Sequence, residues 1–360
     1  MSNRPWASVE NLDQPARTCE HWGNPKTMKL SIVILCWNDL KVIRDCLASI
    51  YATTHATELE VIISDNGSTD GSIEFIREKF PQARLIENGA NLRFAKGNNV
   101  GIRASQGEYV LILNPDTIIH EGALDGLVTF ANKHPEAGAF GCRVLNADGT
   151  YQGCIWPFPT PRSEWIRALR LRPLAYISEW FHPGAYVRWN GETERAVGYP
   201  AGCCLLVRNE LLKRLGGFDE QFFYYYEETD LCRRIWDAGY PILYTPTVSI
   251  THLIGSSTSK KFPPIGFAVD RQITRYLYLY KHHGARGARS SRRSTLTGLA
   301  IRRISNWLSQ IVKPSETAKQ KAEFLRTLFE WNYRVDPVRL AQTGNEPELS
   351  VKLTNRVLER

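Results

Sequence analysis

Three polar clusters in this 360-residue chain have the residue types and spacing that chemistry on a phosphate or a sugar requires. Ser64-Asp65-Asn66-Gly67-Ser68-Thr69-Asp70 and Asn114-Pro115-Asp116 each close an apolar run, and Phe223-Tyr224-Tyr225-Tyr226-Glu227-Glu228-Thr229-Asp230 leads four aromatic rings into three carboxylates. Asp116 ends its strand where a carboxylate has no packing role, so it reads as a ligand for a hard cation, Mg2+ or Mn2+, bridging a diphosphate. Its plainer reading is an Asx turn. Asp65 either contacts a ligand or shapes its turn, and Asp70 is expected to cap the next helix. His252 is a lone imidazole after a strand, either a core histidine or a second metal ligand beside Asp116. Rings beside carboxylates hold sugars, and burial against rings lifts a carboxyl pKa toward the range of a general base. Acids at a helix start also complement its dipole, which accounts for at least one of Glu227, Glu228 and Asp230.

Other chemistries are excluded. No G-x-G-x-x-G follows the first apolar run and no G-x-x-x-x-G-K-[ST] occurs, which removes dinucleotide and P-loop cradles and leaves phosphate binding to a metal or to basic side chains. The eight cysteines form no C-x-x-C pair and lie mostly in apolar runs, so free thiols in a reducing, cytosolic compartment are expected.

The elements that must position these clusters follow from periodicity. Leu30–Trp37, Leu59–Ser64, Ala83–Glu87 and Tyr109–Leu113 read as buried strands, separated by helices over Asp39–Ile50, Asp70–Phe80 and Phe94–Ser105. Strands joined by single helices run parallel and are covered on both faces. The expected fold is therefore a doubly wound, mostly parallel α/β sheet whose ligand lies beyond the carboxyl ends of its strands. Trp37, Asn38, Asp65, Asn114 and Asp116 should converge there. A helix over Glu121–His134 and a strand over Ala137–Leu145 follow, and residues 151–200 read as a loop, a lid or acceptor wall, with one helix near Ser163–Arg172. Cys203–Val207 and Pro241–His252 are read as strands, Glu210–Leu215 and Glu227–Ala238 as helices. The expected division is a tail over 1–28, a catalytic domain over 29–265 with halves 29–150 and 151–265, and a basic helical extension over 266–360.

Composition is that of a globular protein, with 43% apolar and 23% charged residues. The net charge of +8 is concentrated, because Arg271–Ser315 holds ten Lys or Arg and no Asp or Glu. Such a block suits an anionic partner. No reader motif or interleaved aromatics point to nucleic acid, and no apolar run is long enough to span a bilayer, so the expected partner is an anionic membrane surface touched peripherally. Leu296, Leu299, Ala300, Ile304, Trp307, Leu308, Ile311 and Val312 recur at helical spacing, as an interfacial helix or a packed one would have them.

Taken in order and spacing, these stretches resemble the inverting glycosyltransferases of family 2, with the GT-A fold, and most nearly their bacterial rhamnosyltransferase-like members. The resemblance runs from Leu30 to about Gly255. Its carriers are Trp37-Asn38, Asp65 to Gly71, Asn91 to Asn99, Asn114-Pro115-Asp116, Pro200 to Cys204, Gly216 to Glu220, Tyr226 to Leu231, and His252 with Gly255. It implies that Asp65 binds a pyrimidine base, Arg93 lies against base or diphosphate, Asp116 holds Mg2+ or Mn2+, His252 contacts metal or phosphate, and Glu228 is the base. Tyr226, Glu227 and Asp230 then border the acceptor. Three departures stand out: one carboxylate in place of a D-x-D motif, Arg93 where many of the subgroup have glycine, and Glu227-Glu228 in place of Glu-Asp. The implied reaction moves a sugar, from dTDP-rhamnose or else a UDP-sugar, to a hydroxyl of a lipid-linked or polysaccharide acceptor in cell-envelope synthesis. It would take place in the cytoplasm, on the inner face of the membrane. A sugar nucleotidyltransferase would carry a Gly- and Lys/Arg-rich loop after the first strand, which Cys36 to Leu40 lacks. The other alternative is a nucleic-acid-binding protein acting through the basic tail.

Overall fold

The computed structural model describes residues 29–171, 173–174, 189–222, 225–253 and 264–343. The tail 1–28, Arg172, Phe223, Tyr224 and the 254–257 part of the last motif lie outside the described residues. In chain order the elements are β1 (Leu30–Cys36), α1 (Leu40–Thr53), β2 (Leu59–Asp65), α2 (Ser72–Lys79), β3 (Arg84–Glu87), α3 (Phe94–Ala104), β4 (Tyr109–Leu113), β5 (Thr117–Ile119), α4 (Ala123–Lys133), β6 (Ala139–Leu145) and β7 (Ile155–Trp156). Then come α5 (Pro161–Ala168), β8 (Arg195–Ala196), β9 (Tyr199–Pro200), β10 (Cys204–Arg208), α6 (Asn209–Arg214), α7 (Glu227–Asp237), β11 (Ile242–His252), α8 (Pro264–Val312), α9 (Glu316–Arg334) and α10 (Pro337–Thr343).

The described residues fall into two compact units, one from 29–158, 189–220 and 227–253, the other from 159–174, 221–226 and 264–343. The first is the doubly wound α/β unit, with sheet order β3-β2-β1-β4-β10-β6-β11-β5 and β8 added on β11. β1 pairs in parallel with β2 and β4, β10 lies antiparallel between β4 and β6, and β11 runs parallel to β6. The continuous apolar runs become strands because both faces are covered: Ile32, Val33, Ile34, Leu111 and Ile112 are all buried. Gly97 and Gly101 set how closely α3 lies on β1. A Cβ at these positions would stand 2.4 Å from Leu35 and 2.5 Å from Val33.

Arg208 ties the far end of the sheet to α4. Its buried guanidinium donates to the carbonyls of Ala137 (2.8 Å), Ala131 (3.1 Å) and His134 (3.0 Å), and to Tyr109 Oη (3.0 Å), so a fixed cation satisfies the last carbonyls of a helix. The seven described cysteines are free and buried. Burial pushes the Cys36 and Cys46 thiols up to about 12, which makes them packing groups.

The second unit is helical. α8 is two helices joined at Gly284, whose φ of 65° and ψ of −172° break the spiral. Its first half packs Val269, Ile273 and Tyr276 against Trp331, Val335 and Leu340 of the α9–α10 stretch, and Tyr276 Oη donates to Asn332 Oδ1 at 2.6 Å. α5 opens with a Thr160–Ser163 capping box and docks on α8, with Trp165 Nε1 donating to Ser290 Oγ at 3.0 Å. No helix of the described residues is long and apolar enough to cross a membrane.

Arg208→Leu removes the donor from two carbonyls at the end of α4, from the Ala137 carbonyl and from a phenol in a buried site. We expect a loss of about 3 kcal/mol or more, measured as a lower urea midpoint at unchanged slope.

Candidate active site

Register brings the candidate residues to one edge of the sheet. Cys36 pairs with Asp65 and Ile34 with Leu113, so the loops after β1, β2 and β4 begin side by side. Asn38 joins the first two of these loops. Its backbone N–H donates to Ser68 Oγ at 2.9 Å and its Oδ1 accepts the Thr69 N–H at 2.7 Å, from a left-handed backbone (φ 55°) that asparagine tolerates. Trp37 stands beside it, half-buried, its N–H bonded to Asp39. Asp70 takes the Leu40 N–H at 3.0 Å and the Ser72 N–H at 3.1 Å, bonding the first residues of both α1 and α2. Burial opposes its ionisation, yet the hydrogen bonds from Ser72 and Leu40 hold it below the usual carboxylate range.

Asp65 is fully buried. Its Oδ2 accepts the N–H groups of Gly67 (2.8 Å) and Ser68 (2.9 Å), while Oδ1 has no hydrogen-bond partner among the described residues. A buried carboxylate oxygen left open is costly unless a ligand N–H or O–H reaches it. Beside it, Asn66 donates to Asn91 Oδ1 and to the Arg93 carbonyl, and Asn91 Oδ1 accepts the Arg93 N–H at 2.8 Å. This network holds Arg93 at φ 72°, a conformation that glycine adopts without strain. The side chain is exposed.

Asp116 and His252 meet because β5 pairs antiparallel with β11, placing Thr117 opposite His252. His252 Nε2 stands 3.3 Å from Asp116 Oδ1. Gln152 fixes the ring. Its amide nitrogen donates to Asn146 Oδ1 (3.1 Å) and to the His252 carbonyl (3.0 Å), so its Oε1 faces His252 Nδ1 at 2.9 Å and takes that nitrogen's proton. With Nδ1 engaged by Gln152, the Nε2 edge of the ring faces the Asp116 carboxylate, an arrangement in which a proton or a cation shared between them satisfies both groups. One carboxylate and one oriented imidazole fit a share of the ligands of Mg2+ or Mn2+, and a bound phosphate or water would have to supply the rest. Among the described residues no group of three His, Cys, Asp or Glu could hold a metal without such a ligand.

The acids of α7 have separate tasks. Asp230 is fully buried and accepts from Arg234 Nε at 2.7 Å, while the same guanidinium donates to the Leu215 and Gly217 carbonyls at 2.8 Å, so the pair holds a turn. Glu227 is buried, and burial first, then Glu228 beside it, holds its carboxyl well above the usual range. Glu228 is half-buried and lies against Gly202, where a Cβ would stand 3.3 Å from its Cγ. The residue after Gly202, Cys203, accepts the Asn114 N–H at 3.0 Å, which links Glu228 to the Asp116 turn. Tyr226 belongs to the second unit. Its ring is buried against Tyr278 and its hydroxyl accepts from Arg275 Nε at 3.2 Å. Tyr225 and Tyr226 are both left-handed (φ 69° and 70°), a strained lead into α7. Gln152 escaped the sequence reading, and Gly202, inside the Pro200 to Cys204 stretch, was given no role of its own there. Gln152 lies 100 residues from His252 in a stretch without period, and only proximity in the fold reveals either.

Residues 31–216 match the family model Glycosyl transferase family 2. The chain belongs to glycosyltransferase family 2. It is 31% identical over 283 residues to the N-acetylglucosaminyl-diphospho-decaprenol L-rhamnosyltransferase of Mycobacterium tuberculosis, across 71% of this chain and 85% of that protein. Its fold is similar to that of TarS from S. aureus in complex with UDP-GlcNAc, with a TM-score of 0.50 and 16% identity over 87% of this chain and 83% of that one. GalNAc-T7 with UDP, GalNAc and Mn2+ also gives a TM-score of 0.50, with 13% identity over 69% of this chain and 51% of that one. This family 2 glycosyltransferase thus has the GT-A arrangement that its sequence motifs imply.

Glu227 gives a test of the electrostatics. Its folded pKa is raised, so the wild type loses stability as pH rises above the ordinary 4.5 toward the folded value. Glu227→Gln carries no such penalty. The variant's advantage in urea unfolding should grow with pH over that range, and a difference independent of pH would refute the assignment.

Proposed function

We propose that this chain is an inverting transferase that moves rhamnose from a nucleoside diphosphate donor to a hydroxyl of a lipid-linked glycan. The observation that carries the reading is the gathering of Asp65, Asp116 with His252, and Glu228 on one sheet edge, linked through the Asn114–Cys203 hydrogen bond. The sugar and acceptor classes rest on the Mycobacterium tuberculosis relative, an L-rhamnosyltransferase named for a diphospho-decaprenol substrate. A dTDP donor or a UDP donor both offer Asp65 the N3–H of a pyrimidine, which fits its open Oδ1.

Glu228 takes the acceptor proton as that oxygen attacks the anomeric carbon. The new C–O bond forms as the bond to the diphosphate oxygen breaks on the opposite face, so the configuration inverts. Glu227, carrying its own proton, removes a like charge from beside Glu228 and leaves it the ionised partner. Tyr226 orders the approach to α7, and Asp230 keeps α7 fixed through Arg234. Arg93, with Trp37, Asn38 and Asn114, lines the donor side. Mg2+ or Mn2+ bound at Asp116 and His252 would supply positive charge to the leaving diphosphate.

We further propose peripheral attachment to the cytoplasmic face of an anionic membrane. Ile304, Trp307, Leu308, Ile311 and Val312 of α8 are exposed, Val312 at 86%, and Arg302, Arg303 and Lys313 flank them. Leu299, one turn earlier, is buried, so this helix packs with one half and presents the other. Truncation at Gly284 would remove Trp331, Leu340 and Ala341 and uncover Val269, Ile273 and Leu277, which makes point substitution the cleaner probe.

Glu228→Gln should reduce turnover by about 10²–10⁴ while donor binding survives. Asp116→Ala should abolish the metal-dependent part of diphosphate binding in calorimetry without unfolding the chain. Unchanged turnover in the first, or unchanged affinity with Mn2+ in the second, overturns the corresponding role. Trp307→Glu with Ile311→Glu should abolish salt-sensitive co-sedimentation with phosphatidylglycerol vesicles, and equal binding of variant and wild type would remove the membrane from the account.

A further inference from the structure

Three cations of the helical unit converge on a cavity of about 510 Å3 that no carboxylate of the described residues lines. Arg170, Arg302 and Lys321 share its wall with Ser305, Ser309 and Phe324. Among the described residues, none of the three side chains makes a hydrogen bond or an ion pair. Of the nearby acids, Glu164 pairs with Arg167 and Arg275, Glu316 pairs with Lys319, and Glu323 lines a different groove. Burial, then Arg170 and Arg275, push the Arg302 pKa down, so the folded unit holds these charges together at a cost.

Arg170 shows the same cost in its backbone. Leu171 N–H bonds to the Ile166 carbonyl at 2.9 Å and Arg170 N–H to the Arg167 carbonyl at 3.2 Å, a helix end at which Arg170 takes φ 58°. Glycine is the usual residue at such a position, and any other costs about 1 kcal/mol. Uncompensated charge and backbone strain thus meet at one cavity, as they do where a ligand supplies the missing partner.

Arg302, Ser305 and Ser309 lie on one face of α8 at i, i+3 and i+7. The exposed residues Ile304, Trp307, Leu308 and Ile311 recur half a helical circumference away. The cavity is therefore not part of the apolar stripe. Its chemistry also differs, with two guanidinium groups, an ammonium and two hydroxyls, all suited to phosphate oxygens.

We propose that this cavity binds the phosphate groups of a phosphoester or diphosphate, with Arg302 and Lys321 on the oxygens, Ser305 and Ser309 donating hydroxyl hydrogens, and Phe324 against the attached group. The site goes beyond the donor chemistry at Asp116, which belongs to the other unit and depends on a metal.

The test is calorimetric titration of the full-length chain with inorganic diphosphate and with inorganic phosphate, both in chelator so that no metal bridges at Asp116. Arg302→Gln with Lys321→Gln should weaken diphosphate binding by about tenfold or more. The charge-matched control, Arg303→Gln with Arg326→Gln on the other groove, should change it by less than about twofold. Equal losses in the two double variants would mean diffuse charge, and no loss in either would mean no site here; both outcomes overturn the proposal. Phosphatidylglycerol vesicles then assign the source. Vesicle binding weakened more by the Arg302/Lys321 pair than by the control supports a lipid headgroup, and vesicle binding equal in the two, with diphosphate binding lost, supports a soluble diphosphate. Asp116→Ala leaves this titration unchanged, so failure of the donor-site reading and failure of this one are told apart.

Discussion

The hydrogen bond from the Asn114 N–H to the Cys203 carbonyl, 3.0 Å long, sits where two constraints of the fold meet. β4 is a parallel strand of the first βαβα repeat, and β10 returns antiparallel beside it, with Cys204 opposite Leu113. A parallel strand ends in a loop whose backbone groups need partners, and here the incoming end of β10 supplies one. The same junction brings Gly202 against Glu228 and leaves the Asp116 turn free to meet β11. A side chain at position 202 would press on Glu228 from 3.3 Å, so acid and turn keep their spacing because the backbone between them is bare.

Electrostatics divides the carboxylates of this edge by environment rather than by residue type. Asp65 is buried with one oxygen satisfied by two N–H groups, Asp230 is buried with an arginine, and Glu227 is buried with neither. Each arrangement has a different consequence: an open acceptor, a structural clamp, and a carboxyl whose ionisation is opposed. Glu228 is the α7 acid left half-exposed. Pairs of acids pushed apart in this way are how one site keeps a single ionised base near neutral pH.

Much of this was legible in the sequence because the fold's first half is built from continuous apolar runs and short connections, for which periodicity is informative. β1, β2, β4 and the helices between them lie within a few residues of the expected ranges, and Tyr109–Leu113 is reproduced as read. The three-residue β5 is too short for period to register, and the helix near Ser163 ends at Ala168 instead of Arg172. The site was legible in part for a related reason. Asp65 and Asp116 stand at strand ends, and position alone singled them out, whereas Glu228 was separated from Glu227 and Asp230 only by the family resemblance. Gln152 and Gly202 act through contacts between distant segments, and a glycine or glutamine in a loop has no pattern of its own. The left-handed φ of Arg93 gives physical content to a departure the sequence could only note, since the backbone there has the geometry glycine would take.

The basic segment shows how charge and packing are separated along one helix. Up to Gly284, α8 is a core element whose Tyr276, Leu277 and Tyr278 are buried, and its cations are absorbed by Glu164, Tyr226 and aromatic faces. After Gly284 the burial continues through Ala288, Ser291, Ser294 and Leu299, and it ends near Arg302. Beyond that point α9 covers one side through Asn306 and Gln310, which both donate to the Ala318 carbonyl. Ile304, Trp307 and Ile311 are left outside and Arg302 is left beside a cavity. A helix with two unfinished faces, one apolar and one cationic, presents two chemically different surfaces. Neither face is explained by folding of this unit alone, because exposing five large apolar side chains and grouping unpaired cations both oppose it.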